Sequence, residues 1–470
     1  MTDPLLHPDR LFPAEPSVRA IARNLYETIA ELPIVSPHGH TDPQWFAENG
    51  AFADAASLFL IPDHYVLRML RSQNIAYDAL AVPRKDGAPV ADARSAWRTF
   101  CTNWPLFAGT PSELWINHSL SREFGIDAPL SAQTADATFD LIGARLADAD
   151  LRPLAILDRA NVEMIATTEF ALDPLDHHAT IKAKGLGARI RTTYRPDDVT
   201  DPEAADFAAN LETLAEITGE DVSTWSGMIK AHATRRAHFR AHGATATDHG
   251  VPTALTADLG PAERQALLDG ALKGVLSAAE AEQFRAQMLT EMAGLSAEDG
   301  MVMQIHAGSR RATDPMLQAE RGRNLGDDIP QRTDFVGGLS ALLSRYGNAE
   351  NFRLIAFTLD ESTYARELAP MAGYWLALMV GPPWWFHDSS NGIRRYLDAM
   401  HETAGFANMA GFNDDTRALL SIAARHDVWR REVSGFLAKM VAEHKIGQAT
   451  ARDRARWLSY DAAKAAYRIP

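Results

Sequence analysis

The stretch Ile34-Val-Ser-Pro-His-Gly-His40 begins as a short apolar strand and ends with two histidines separated by one glycine. On an extended backbone, residues i and i+2 point to the same face, so His38 and His40 are expected to aim their imidazoles at one point. That geometry suits a divalent cation, which zinc-binding histidines hold at about 2.0–2.1 Å. Gly39 lets the backbone pass close by without a side chain in the way. The alternative is an ordinary turn that contains two histidines.

The composition is that of a large globular protein. The chain has 470 residues, of which 46% are hydrophobic and 23% charged, and a barrel with insertions reaches this length as one unit. The net charge of −15 argues against a nucleic-acid-binding surface, which needs clustered Lys and Arg. The single cysteine, Cys101, excludes an intrachain disulfide and a thiolate zinc cage. A metal must therefore be held by histidines and carboxylates.

No segment is typical of export or of membrane insertion. Residues 1–10 lack the basic segment and apolar core of a signal peptide. The most apolar window, residues 371–386, is too short to span a bilayer and contains Pro382-Pro383. We therefore expect a cytoplasmic protein with no membrane partner.

Short apolar segments alternate with helical patterns, which is typical of parallel β/α units. Eight strands are predicted, beginning at Ile34, Val162, Ala188, Gly243, Met301, Phe352, Leu378 and Phe406. Eight such units favour an α/β fold of the closed (β/α)8 TIM barrel type over an open sheet. No glycine-rich dinucleotide motif and no phosphate-binding loop follows a strand, so no nucleotide cofactor is expected.

From about residue 44 to residue 155 the patterns are mostly helical, with no clear strand. We therefore divide the chain into three parts. Residues 1–43 form an N-terminal lead-in with the first strand, and residues 44–155 form a helical insertion that contributes to the active site. Residues 156–470 form the remainder of the barrel and the C-terminal helices.

Polar residues follow many of the predicted strands, and the active site of such a barrel forms at the C-terminal ends of its strands. The candidates are His38, His40, Arg195, Asp248, His249, His306, Asp360, Trp384, Trp385, Asp415 and Arg417. Alternatives remain open at this point. Asp248 and Asp415 are also suited to capping the next helix, His306 to a hydrogen-bonded place in the core, and the two tryptophans to the core itself.

A further candidate cluster lies in the helical insertion, at Asp63-His-Tyr-Val-Leu-Arg68. On a helix, Tyr65 and Arg68 share a face. A nearby guanidinium favours the phenolate and would lower the pKa of Tyr65 toward use as a base. The alternative is an amphipathic helix with a half-buried tyrosine.

These motifs together resemble those of the uronate isomerases, also called glucuronate isomerases, a sugar-acid branch of the amidohydrolase superfamily. The resemblance runs almost end to end. Its markers are His7-Pro-Asp-Arg-Leu-Phe-Pro13, Pro37-His-Gly-His-Thr-Asp-Pro43, Asp63-His-Tyr-Val-Leu-Arg68, Leu120-Ser-Arg-Glu-Phe-Gly-Ile126, Asn161-Val-Glu-Met-Ile-Ala-Thr-Thr168, Tyr194-Arg-Pro-Asp197, Asp248-His249, Gln304-Ile-His306, Trp384-Trp-Phe386, Asp415-Thr-Arg417 and Arg425-His-Asp-Val-Trp-Arg-Arg431.

The resemblance implies a metal-dependent barrel that acts on a small sugar acid and self-associates. One divalent metal, commonly zinc, would be held by His38, His40 and Asp415. The site for the sugar acid would be lined by Arg195, Arg417, His306 and one of Trp384 and Trp385. Tyr65 would lie near the carbon that loses its proton. His249 is included with the substrate-binding candidates.

The sequence also departs from the family pattern. The family usually has Cys in place of Gly39 and Trp in place of Tyr194. The loops after Thr168 and after His306 differ as well. These loops surround the substrate, so the family pattern does not identify which uronate is preferred.

The predicted reaction interconverts an aldo-uronate, D-glucuronate or D-galacturonate, with its 2-keto isomer, D-fructuronate or D-tagaturonate, through a cis-enediol. Tyr65, aided by Arg68 or His64, would move the carbon proton, and Asp415 would relay the oxygen proton. Arg195 and Arg417 would grip the carboxylate. No redox cofactor is required. The alternatives are a metal-dependent hydrolase of an acidic ester, lactone or amide, and a non-catalytic binding protein on the same scaffold.

Overall fold

The computed structural model describes residues 5–204 and 206–470. Its strands are β1 (Ile34–Ser36), β2 (Val162–Ala166), β3 (Glu169–Phe170), β4 (Ile190–Arg191), β5 (Tyr194–Arg195), β6 (Ala246–Val251), β7 (Val302–Ala307), β8 (Ser309–Arg310), β9 (Ile329–Pro330), β10 (Leu354–Thr358) and β11 (Leu378–Val380).

The helices surround these strands. They are α1 (Pro16–Glu27), α2 (Pro43–Glu48), α3 (Ala55–Phe59), α4 (His64–Ser72), α5 (Ala93–Thr102), α6 (Pro111–Phe124), α7 (Ala135–Leu146), α8 (Pro153–Arg159), α9 (Asp176–Ala183), α10 (Asp197–Thr200), α11 (Phe207–Thr218), α12 (Trp225–Ala241), α13 (Pro261–Leu272), α14 (Ala278–Asp299), α15 (Pro315–Arg321), α16 (Phe335–Gly338), α17 (Ser340–Tyr346), α18 (Ala369–Ala372), α19 (Ser390–His401), α20 (Ser421–Ala442), α21 (Gln448–Arg456) and α22 (Ala462–Ala466).

The strands form a parallel array that follows the chain order of a (β/α)8 barrel. Strand β1 pairs with β2 and β2 with β4, while β3, β5, β6, β7, β10 and β11 pair in that order. Because β2 and β3, and likewise β4 and β5, are separated by only two residues, each pair occupies one barrel position. This strand order agrees with the barrel fold predicted from the sequence.

The eighth barrel position differs from the prediction. A regular strand beginning at Phe406 was expected, but Phe406–Asn408 forms a 3₁₀ turn and Met409 makes a single parallel bridge to Val380. The two ends of the array approach each other where the His40 N–H donates to the Thr416 carbonyl oxygen at 2.9 Å. This backbone contact holds the last barrel position beside the first one, where the paired histidines lie.

The polypeptide between β1 and β2 is helical throughout its described secondary structure. Its helices bury an apolar cluster of their own that includes Trp97, Phe100 and Leu120. Asp63 caps the N-terminus of helix α4, and its carboxylate accepts the N–H groups of Tyr65 and Val66. An aspartate N-cap of this kind fixes the start of a helix, so it also fixes His64 and Tyr65 in the first turn.

The barrel interior is filled by side chains, and one of the residues packed against it, Tyr467, follows helix α22. All six residues of β7 are buried. The hydroxyl of buried Tyr467 donates to Oε1 of Gln304 on β7 at 2.7 Å. Among the described residues, no helix is long and apolar enough to cross a membrane.

Candidate active site

Two histidines and one aspartate meet at the C-terminal edge of the barrel. The Nε2 atoms of His38 and His40 lie 3.4 and 3.3 Å from the same oxygen, Oδ1 of Asp415. His306 also offers a ring nitrogen within 4.8 Å of ligand atoms of His38 and Asp415. The structure therefore brings together the three residues that the sequence assigned to a metal.

The two histidine–carboxylate separations fit a small cation. Ligands at about 2.0–2.1 Å from a tetrahedral centre lie roughly 3.3–3.4 Å from one another, which matches the two histidine–carboxylate separations. Burial alone would raise the pKa of the Asp415 carboxyl, but the two imidazoles lower it well below its ordinary value. Asp415 also has a φ of 42°. A non-glycine residue held in the left-handed region is a local strain often found at functional sites.

A buried network supports the two paired histidines. The His306 ring stacks on the His38 ring at 4.7 Å and contacts Oδ1 of Asp248 through Nδ1 at 2.6 Å. Arg195 donates from Nη1 to Oδ2 of Asp248 at 3.0 Å and from Nε to Asp197 at 2.8 Å. A Cβ at position 250 would overlap the Arg195 guanidinium, so a larger residue there would displace this side chain.

Next to the histidines lies an open cleft of about 710 Å³, counted out to its mouth. Its lining residues include His40, His64, Tyr65, Arg195, Arg311, Asn324, Trp384, Trp385, Asp388, Asp415, Arg417 and Arg425. Both tryptophans contribute to this lining. The Trp384 ring packs against His306 at 4.8 Å, and the Trp385 ring meets His64 at 4.6 Å.

The arginines of the cleft differ in how well they are neutralised. Arg195 is paired with two carboxylates, Asp197 and Asp248. Arg417 donates from Nη2 to the amide oxygen of Asn324 at 3.1 Å. Burial lowers the pKa of Arg417, and repulsion from Arg195 lowers it further. A bound anion would relieve both effects, so Arg417 is well suited to a substrate carboxylate.

Tyr65 lies in the cleft, but its environment differs from the prediction. Its hydroxyl donates to Oδ1 of Asp388 at 2.7 Å and accepts the Phe386 N–H at 2.7 Å. Burial raises the pKa of Tyr65 well above its ordinary value, Asp388 raises it further, and Arg425 offsets only part of this. The expectation of a guanidinium-lowered pKa was therefore wrong in direction, because burial dominates and the hydrogen-bonded carboxylate of Asp388 acts in the same sense.

Three residues predicted to be catalytic or substrate-binding do not line the cleft. His306 lies behind it, packed between His38 and Trp384. The Arg68 guanidinium lies 4.4 Å from the centre of the Phe386 ring, so it supports the loop behind Tyr65 rather than the substrate space. His249 contacts Thr247 Oγ1 at 3.0 Å. Because neighbouring residues of a strand face opposite sides, Asp248 points into the site and His249 points away from it.

Two further expectations are corrected or refined by the site. A Cβ on Gly39 would meet its nearest neighbours at 3.6 Å, which is ordinary contact, so this position does not require glycine. His64 lines the cleft, but burial lowers its pKa to about 3, with Arg417 and Arg425 contributing. His64 is therefore a neutral imidazole near pH 7, so it cannot donate a proton as an imidazolium.

Several cleft residues were not predicted as site residues. Asp388 follows the Trp384-Trp-Phe386 motif on a loop that has no periodic pattern of apolar residues. Arg425 begins the family motif at residues 425–431. Arg311 and Asn324 come from the segment between the antiparallel strands β8 and β9. Asp388 and Arg425 could have been found from the sequence only through their position beside or within motifs of the family.

A parallel barrel that gathers two histidines from the end of its first strand and an aspartate from its last position defines the amidohydrolase class of (β/α)8 proteins. Within this class, the family model described as glucuronate isomerase matches residues 17–467. The chain belongs to that family.

Individual relatives agree with this assignment. The uronate isomerase of Phenylobacterium zucineum is 54% identical over 470 residues, covering 100% of this chain and 98% of that protein. The crystal structure of glucuronate isomerase from Caulobacter crescentus superposes with a TM-score of 0.97 at 51% identity, covering 99% of this chain and 98% of that one. The uronate isomerase structure from Thermotoga maritima gives 0.91 at 27% identity, with coverages of 98% and 99%. The prediction of an isomerase rather than a hydrolase is confirmed.

Proposed function

We propose that the chain interconverts an aldo-uronate, D-glucuronate or D-galacturonate, with the corresponding 2-keto isomer, D-fructuronate or D-tagaturonate. The observation that carries this proposal is the convergence of His38 and His40 on one oxygen of Asp415, beside a cleft lined by arginines and Tyr65. A sugar acid needs a cationic pocket for its carboxylate and a group that moves a proton between neighbouring carbons, and the cleft offers both.

We assign one divalent metal, Zn²⁺, to His38, His40 and Asp415. The separations of 3.3 and 3.4 Å and the donor set of two imidazoles and one carboxylate support this assignment. When bound, such a cation withdraws electron density from a substrate oxygen and so eases the loss of a neighbouring proton. His306, stacked on His38, keeps the first ligand in place.

Proton movement is assigned to Tyr65 and Asp415. Tyr65 takes the proton from C2 of the open-chain sugar and returns it at C1, through a cis-enediol. The ionised carboxylate of Asp415 carries the hydroxyl proton between the two oxygens. A positioned acid or base of this kind contributes roughly 10²–10⁴-fold to the rate.

Arg417 is assigned the substrate carboxylate, while Arg195 acts mainly by orienting Asp248. Replacing Arg417 by Met removes charge-assisted hydrogen bonds worth about 1.5–3 kcal/mol each. We expect KM for the uronate to rise by about 10- to 100-fold, with a smaller change in kcat. Steady-state kinetics measures this. The matched control is Arg345→Met, because Arg345 pairs with Asp258 at the exposed surface and should leave KM unchanged. Equal KM values in both variants would remove Arg417 from the binding site.

The reaction class is tested by isotope exchange. Incubation with D-glucuronate or D-galacturonate in D₂O should yield the ketose and place deuterium on the carbon that exchanges its proton, as followed by NMR. A hydrolase would leave both sugars unlabelled while cleaving an acidic ester, lactone or amide. Binding without either reaction would indicate a non-catalytic protein.

A further inference from the structure

A chain of hydrogen bonds leads from the cleft surface into the protein through Tyr65, Asp388 and Arg425. The Tyr65 hydroxyl donates to Oδ1 of Asp388 at 2.7 Å. Arg425 donates from Nη1 to the other oxygen, Oδ2. The three residues come from helix α4, the loop after β11 and helix α20, and all three line the cleft. Three segments that are distant in the sequence thus meet at the Tyr65 side chain.

The orientation of the phenol is fixed by its second partner. The Phe386 N–H donates to the Tyr65 oxygen at 2.7 Å, and Phe386 itself has a φ of 68°. A bulky residue in this region is strained, so the surrounding structure must hold it there. The phenolic oxygen has one hydrogen and two lone pairs. Its hydrogen lies on Asp388 and one lone pair accepts from Phe386, which leaves a single lone pair to receive a proton.

This arrangement limits how Tyr65 can act as a base. A neutral phenol can remove a proton from carbon only if it gives up its own hydroxyl proton in the same step. The group in position to receive that proton is the carboxylate 2.7 Å away. We propose that Asp388 accepts the hydroxyl proton of Tyr65 in the first half of the reaction and returns it in the second. This inference rests on the proposed function.

The proton and electron balance closes within the site. The C2–H bond breaks, its proton goes to the Tyr65 oxygen, and the Tyr65 O–H bond breaks in favour of Oδ1 of Asp388. The C–H electron pair becomes the C1–C2 double bond, and the carbonyl pair moves to O1. After Asp415 transfers the hydroxyl proton from O2 to O1, Tyr65 delivers its proton to C1 and recovers one from Asp388. No external oxidant, reductant or base is consumed.

Arg425 is a positioning residue for this carboxylate. Its guanidinium lies 3.6 Å from the centre of the Trp115 ring and pairs with Asp388, both side chains being about 10% exposed or less. A planar guanidinium stacked on an aromatic ring has little freedom, so it fixes the carboxylate that it binds. It also compensates the negative charge that Asp388 carries in the resting enzyme, before it accepts the proton of Tyr65.

The test is Asp388→Asn. The amide keeps the shape and an oxygen that can accept from Tyr65, but it cannot take up the proton. We expect kcat to fall by about 10²–10⁴-fold with KM little changed. The primary isotope effect on kcat with C2-deuterated D-glucuronate should rise, because cleavage of the C–H bond becomes fully rate-limiting. Asp388→Glu, which restores a carboxylate, should recover part of the lost rate.

The chain offers a matched control in a second tyrosine–aspartate–arginine group outside the cleft. The hydroxyl of Tyr26 donates to Asp427, which also pairs with Arg10 and Arg431. Asp427→Asn makes the same chemical change at a buried site and should leave kcat and the isotope effect unaltered in folded protein, as checked by thermal unfolding.

The outcomes separate this inference from the proposed function. An Asp388→Asn enzyme with wild-type kcat would overturn the role of Asp388 while leaving the isomerase intact. Equal losses in both Asn variants, with no change in the isotope effect, would reduce Asp388 to a structural residue and also overturn it. A wild-type protein that is inactive on uronates would instead overturn the proposed function.

Discussion

Replacing Tyr65 by phenylalanine is expected to abolish turnover while the sugar acid still binds. The substitution removes the hydroxyl that is hydrogen-bonded to Asp388 and to the Phe386 N–H, but it keeps the ring that packs at 5.6 Å against Trp115. With the base lost, kcat should fall by up to about 10⁴-fold. Arg417 and the other cations of the cleft remain, so the Kd for a uronate, measured by calorimetry, should change little.

The control for this variant is Tyr26→Phe. Tyr26 makes a similar phenol–carboxylate hydrogen bond to Asp427, and burial raises its pKa to about 12, yet it lies outside the cleft. This variant should retain wild-type kcat. A Tyr65→Phe enzyme with near-normal kcat would show that another group moves the carbon proton.

The second large effect is expected at the metal cluster. Asp415→Ala removes both the carboxylate on which His38 and His40 converge and the proposed carrier of the oxygen proton. Loss of a Lewis acid worth several kcal/mol lowers kcat by about 10³-fold or more. Elemental analysis should show one metal per chain in the wild type and almost none in the variant.

His242→Ala serves as the comparison, because His242 is partly buried on the end of helix α12 and bonds to the backbone of His238. It should keep full metal content and activity. Chelation of the wild type should mimic the loss at Asp415, and added Zn²⁺ should restore activity. Full metal content in Asp415→Ala would transfer the site to other ligands, such as His306.

The sequence predicted that His38 and His40 lie together because the rule for this pair is local, whereas Asp415 was implied only by the family resemblance. Two histidines two residues apart on an extended chain face the same way whatever surrounds them, and both meet Asp415. The starts of the barrel strands were also predictable, since buried parallel strands are short apolar runs. The eighth position was less regular than expected because Phe406–Asn408 turns before the chain extends.

The surroundings of Tyr65 could not be predicted in the same way. Its carboxylate partner, Asp388, lies 323 residues away along the chain, on a loop whose path depends on the whole barrel. Arg68 was chosen for its helical spacing from Tyr65, but it packs on Phe386 instead. His249 was chosen as a strand end, although alternation along β6 turns Asp248, not its neighbour, toward the site.

The hydroxyl of Tyr467, near the C-terminus, bonds to Gln304, whose amide nitrogen lies 3.4 Å from Nδ1 of His38. During synthesis the paired histidines are made early, whereas Asp415 and Tyr467 are made much later. A partly translated chain therefore has two of the three proposed cation ligands and lacks the buried phenol that underlies them. The proposed site is complete only after the chain has been extended through both Asp415 and Tyr467.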